Sequence, residues 1–146
     1  ESHAWHRPLL ATRASQYDPR VRSRIERGAT MSASDYIDLL NARQHWIVRM
    51  EAALAPYDAL LSPTVPLVAP PIADVAPGAE RDAEFFRVNA LLLRNTSVVN
   101  MLDGCALSLP CHMAGELPVG LMVWHGALHD DAVLNVGLQI EQILQK

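Results

Sequence analysis

Lysine is almost missing from this sequence. Of the twelve basic side chains in 146 residues, eleven are arginine and one, Lys146, is a lysine at the last position. A chain end is the place least suited to burying an amine and holding it neutral, the state in which lysine works as a base. Cysteine is scarce too, with only Cys105 and Cys111. That excludes a disulfide framework and suggests a reducing compartment, so the cytoplasm is expected. No apolar run approaches the roughly 20 residues a membrane helix needs. No basic segment followed by an apolar one opens the chain, so no signal peptide is expected. The net charge is −4, and with no surplus of positive charge neither nucleic acid nor an anionic membrane is an expected partner.

What is present is a hydrophobic half of the composition in one domain's length, enough to bury a core. The chain opens without methionine on "ESHAWHRPLLATRA", a helical pattern over residues 1–13 that suggests a piece of a longer protein. A turn at Asp18-Pro19 leads into a short basic helix stopping at Gly28. Ser32 or Ser34 then caps the longest predicted helix, whose apolar positions 36/37, 39/40, 46/47, 50 and 53/54 recur at helical spacing. Pro56 ends it. "DALLS", 58–62, reads as a short buried strand closed by Pro63. Five prolines between Ser62 and Gly78 mark a long structured loop. One helix is predicted from near Arg81 to Gly104, strands at 106–109 and 118–124, and a last helix opened by Asp130 and Asp131, whose charge suits a helix N-terminus. The pattern is α/β, read as one partial domain that is helical over 1–57 and α/β over 58–146.

The residue types of a hydrolase cluster in "CALSLPCHMAGELPVGLMVWHG", residues 105–126. Each has a plainer reading. Ser108 sits between Leu107 and Leu109 without the flanking glycines of a nucleophile elbow, as an ordinary strand residue would. Cys111 and His112 are adjacent and so point to opposite sides of an extended chain, whereas a thiol and its base must touch. Cys105 and Cys111 have no partners at zinc spacing, and His125 and His129, four apart, would need two more ligands from elsewhere. No metal site is expected, and no catalytic residue is assigned.

Taken in order, several segments carry a resemblance. "YDALLSPTVP" with its proline-rich loop, then "RNTSVVN", "ALSLPC" and "LPVGL", preceded by "SASDYIDLLNARQHWIV", resemble the C-terminal third of the amidase signature enzymes over nearly the whole chain. The resemblance implies an α/β fold, a mixed sheet flanked by helices, and hydrolysis of C–N bonds by a Ser–cis-Ser–Lys triad with backbone N–H groups holding the oxyanion. No cofactor enters that chemistry, and none is expected. This sequence has no Gly-Gly-Ser-Ser-Gly stretch and no internal lysine, so it is expected to supply scaffold and substrate-pocket wall without the triad. It departs from the family pattern at Asp103-Gly104-Cys105, in place of Gly-x-Pro, at Met122 in place of glutamine, and at His125 in place of glycine.

Substrate and partners follow from the same resemblance. Enzymes resembling glutamyl-tRNA amidotransferase A subunits place an arginine at the position of Arg43, where a guanidinium suits a glutamine carboxylate. The plainer reading of Arg43 is a solvated helix arginine. An acid those enzymes place seven residues before Asn100 is Leu93 here, beside Arg94, so a general amidase acting on a small linear amide ranks above a glutaminase. A non-catalytic interaction module stays as an alternative. Apolar faces on helix 36–54 and in "VNALLLRNTSVVNML" are too extensive for three short strands to cover, so a homo-oligomer, most simply a two-fold dimer, is expected.

Overall fold

A computed structural model describes residues 1–144; Gln145 and Lys146, the lone lysine, lie outside the described residues. The chain divides into two compact units, residues 1–43 and the part from Gln44 onward.

The first unit holds helices α1 (Ser2–Arg13) and α2 (Pro19–Glu26) and the start of α3 (Ala33–Leu54). The Asp18 side chain accepts hydrogen bonds from the N–H groups of Arg20 and Val21, at 2.9 and 3.1 Å, and Pro19 supplies a first helical residue that needs no hydrogen-bond partner. Ser32 is the cap of α3. Its hydroxyl accepts from the Asp35 N–H at 3.1 Å, while the Asp35 carboxylate accepts from both the N–H and the hydroxyl of Ser32. This is a capping box with aspartate in the usual glutamate position. The Ser32 N–H, then its hydroxyl, hold the Asp35 carboxyl below its ordinary range.

The second unit is a three-stranded sheet in the order β1-β3-β2, antiparallel throughout, with helices on both faces. Its strands are β1 (Leu60–Pro63), β2 (Cys105–Pro110) and β3 (Gly120–His125). Successive side chains on a strand face opposite ways, and β3 is apolar on both sides. Met122 and Trp124 pack with Ile47 and Leu54 of α3 and with Val99 and Leu102. Val123, fully buried, packs on the other side with Leu109 and with Val133 of α7 (Asp130–Leu144). Gly137 lets α7 lie close to β2, because a methyl group there would collide with the Leu107 side chain.

Between β1 and β2 run a one-turn helix α4 (Ile72–Val75), α5 (Asp82–Arg94) and α6 (Thr96–Met101). Residues 81–104 thus form two main helices, not the single one expected from sequence. The break falls at Asn95, whose side-chain amide is drawn out of the helix: Nδ2 donates to the Pro63 carbonyl at 2.7 Å and Oδ1 accepts from Arg94. The Thr96 hydroxyl also bonds back to the carbonyls of Leu92 and Leu93, a competition that bends helices. β1 starts two residues later than expected because Tyr57 N–H closes a turn on the Leu54 carbonyl. No helix among the described residues is long and apolar enough to cross a membrane.

Candidate functional site

The two ends of β3 gather the polar chemistry of the second unit. At its start, β1 and β2 both pair with β3 so that Ser62, Met122 and Ser108 stand abreast on one face. One step further, Thr64 N–H donates to the Gly120 carbonyl at 2.8 Å. The Thr64 and Ser108 hydroxyls then meet across β3 at 2.6 Å. They can do so only because residue 120 has no side chain: a Cβ there would lie 2.6 Å from the Ser108 hydroxyl and 2.7 Å from that of Thr64. The Asn95–Pro63 bond closes the same end of the sheet, and the Ser62 hydroxyl is buried without a hydrogen-bond partner among the described residues. The result is a wall of small hydroxyls and an amide. It can donate and accept hydrogen bonds to a polar substrate. Ser108 has Thr64 as its hydrogen-bond partner, and among the described residues no imidazole, amine or carboxylate is hydrogen-bonded to it.

Cys111 and His112 do not form a pair. The Cys111 thiol and N–H both point to the Val119 carbonyl, at 3.5 and 3.0 Å, and His112 Nδ1 faces the Val119 N–H at 3.4 Å. Both side chains tether the start of β3. Cys105 turns to the Gly126 carbonyl at 3.4 Å, far along the sheet from Cys111. Leu93 and Arg94 are exposed at the end of α5. Arg43 is half-buried on α3, on the helical stripe that continues through Ile47, Met50 and Leu54.

At the far end of β3, His125 is only 4% exposed. Its Nδ1 accepts the Gly126 N–H at 2.7 Å and its Nε2 lies 3.2 Å from the Tyr57 carbonyl. That pattern fits a neutral ring with its proton on Nε2, and it leaves no lone pair for a metal. His129 does come to His125, but ring on ring, with centroids 3.8 Å apart and planes 36° apart. Among the described residues no three His, Cys, Asp or Glu side chains are placed to hold a metal ion.

Sequence reasoning singled out Ser108 but not its partner. Thr64 and Gly120 lie inside the quoted "SPT" and "PVGL" segments, so the signal was present; the register that joins them was not.

The fold and site define a piece of α/β scaffold bearing a hydroxyl-lined wall, with the groups of a hydrolase dispersed among structural tasks. Comparison with known proteins agrees. The family described as Amidase matches residues 2–134, and the chain belongs to that family. It is 30% identical over 141 residues to the glutamyl-tRNA(Gln) amidotransferase A subunit of Salinispora tropica, with 93% of this chain and 27% of that protein covered. It is 26% identical over 133 residues to a 2-amino-5-chloromuconic acid deaminase of Comamonas testosteroni, covering 90% of this chain and 28% of the relative. A solved structure described as an amidase superposes with a TM-score of 0.75 at 28% identity, over 96% of this chain and 32% of that one. The chain therefore spans between a quarter and a third of the length of these proteins.

Proposed function

We propose that these residues serve as the C-terminal part of an amidase-family hydrolase that cleaves the C–N bond of a small linear amide. They supply scaffold and substrate-pocket wall, and the Ser–Ser–Lys triad lies in the remainder of the enzyme. The observation that supports this reading is the Thr64–Ser108 hydroxyl pair: it lies within residues 2–134, which match the Amidase family, and among the described residues it has no base hydrogen-bonded to it. The chain alone is then inactive. Arg43, half-buried on the apolar stripe of α3, is proposed as a substrate-carboxylate contact. A glutaminase role within a tRNA amidotransferase is the second reading, favoured by relatives of that name and weakened by an exposed leucine, Leu93, in place of an acid. Two free cysteines fit a cytoplasmic setting. The exposed Ile37, Leu39 and Leu40 of α3 and Leu134 and Leu138 of α7 support self-association of the isolated chain as a two-fold dimer.

The test is an amide panel, glutamine included, offered to this chain and to a longer chain containing it. The short chain turns over nothing. In the longer one, Arg43→Ala raises KM for acidic amides at least about tenfold more than for neutral ones, the scale of one lost charge-assisted contact. Turnover by the short chain that disappears in Ser108→Ala or Cys111→Ala would overturn the reading; equal effects of Arg43→Ala on both substrate classes would return Arg43 to a structural role.

A further inference from the structure

The His125 end of β3 holds an arrangement that amide hydrolysis does not use. A cavity of about 310 Å³ opens there, lined by Glu51 from the last turn of α3, by Ala55 just beyond it, by Tyr57, and by His125, Ala127 and His129. Its size is at the lower end for small-molecule sites. All of these residues belong to the second unit, and the cavity stands about 10–17 Å along β3 from the Thr64–Ser108 pair, three to five residues at strand rise.

Three features give the cavity a chemical preference. The first is its wall. With both nitrogens of His125 engaged by backbone, that ring is fixed and presents its face, and His129 is laid against it. The chain reaches this geometry through Leu128, which adopts φ 63 while 95% exposed. A bulky residue rarely adopts the left-handed region and persists there only where its surroundings impose it. The second is charge. The Glu51 carboxylate has no hydrogen-bond or ion-pair partner among the described residues, and no arginine or lysine lines the cavity. The third is the end of α3 itself, whose C-terminal carbonyls carry the negative end of the helix dipole. Carboxylate and carbonyl ends together suit a cation, and the stacked imidazoles with Ala55 and Ala127 offer flat contact area to an apolar stem.

We infer that this cavity binds a small organic cation, a primary ammonium on a short aromatic or apolar stem, with Glu51 as its counter-charge and the His125–His129 stack and Tyr57 as its walls. The site does not rest on the proposed amide chemistry.

The probe is benzylamine, with benzyl alcohol as its uncharged counterpart, titrated into the 146-residue chain and followed by amide and imidazole NMR resonances. Benzylamine is expected to shift the signals of residues 51–57 and 125–129 saturably, with a dissociation constant on the order of 1 mM, as an exposed ion pair with one aromatic contact allows. Benzyl alcohol should bind at least about fivefold more weakly, and Glu51→Gln should lower benzylamine affinity by a similar factor. Raising the salt to about 0.5 M must weaken binding to the unaltered chain, which keeps the test independent of how the variant folds. Equal binding of amine and alcohol, insensitivity to salt, or shifts confined to other residues would each overturn the inference.

Discussion

Gly120→Ala is the sharpest test of how the hydroxyl wall is built. The glycine is not required for its backbone angles, because its φ is not in the left-handed region. It is required for space: the added methyl would lie 2.6 Å from Ser108 Oγ, 2.7 Å from Thr64 Oγ1 and 3.2 Å from Thr64 Cβ. The two hydroxyls can turn away only by giving up their bond to each other, and Thr64 Cβ, fixed to the backbone that extends β1, cannot move aside. Forcing a methyl group into such a site costs about 1–3 kcal/mol, and separating the two hydroxyls forfeits roughly 1 kcal/mol more. Against this, replacing glycine restrains the unfolded chain and returns about 0.4–1 kcal/mol. The net expectation is a loss of about 2 kcal/mol, which at a urea slope of about 1.5 kcal/mol/M moves the midpoint down by more than about 1 M. The same substitution made in a Thr64→Ala, Ser108→Ala background removes both hydroxyl contacts and leaves the 3.2 Å neighbour, so there it should cost no more than about 0.5 kcal/mol. Urea unfolding of the four proteins measures the difference directly. A Gly120→Ala midpoint unchanged from the parent, or an equal loss in both backgrounds, would refute crowding by the hydroxyl pair.

Two further outcomes follow from the ends of elements and the edges of the sheet. Because the folded-state pKa of Asp35 is depressed by Ser32, its contribution is fully present above the ordinary carboxylate pKa and is lost as pH falls through the lower folded-state value. The stability gap between the parent and Asp35→Asn, read from urea midpoints, should therefore be constant near neutrality and shrink below about pH 4, while Ser32→Ala costs about 1 kcal/mol at neutral pH as N-cap losses do; a gap independent of pH would contradict the capping box. Strands β1 and β2 each pair only with β3 among the described residues, so light scattering on the dilute chain should give a dimer's mass, and a stable monomer that binds no apolar dye would defeat the self-association reading.

What could be read from the sequence, and what could not, divides by the range of the interaction responsible. The cap of α3, expected at Ser32 or Ser34 and found at Ser32, the stop at Pro56 and the paired aspartates opening α7 act within a turn of the chain, and each helix end falls close to those residues. The strand expected at 118–124 is β3, Gly120–His125, and its burial on both faces emerges only from the packing. The break at Asn95 escaped because its cause is a carbonyl 32 residues away, at Pro63; a local reading sees only an uninterrupted apolar helix. The hydroxyl wall escaped for a related reason. Thr64 and Ser108 are 44 residues apart and never pair directly as strands. They meet because each strand registers against β3 and because residue 120, between them, is glycine. Family resemblance could point to all three positions but not to their contact, since it compares residues one at a time. The same holds for His125. Its departure from glycine was visible as a difference, whereas the meaning of the difference lies in two backbone groups, the Gly126 N–H and the Tyr57 carbonyl, that engage both ring nitrogens. A histidine so engaged has no lone pair left for a metal and becomes a wall. Side chains that look reactive in a sequence are therefore best judged by what already occupies their donors and acceptors.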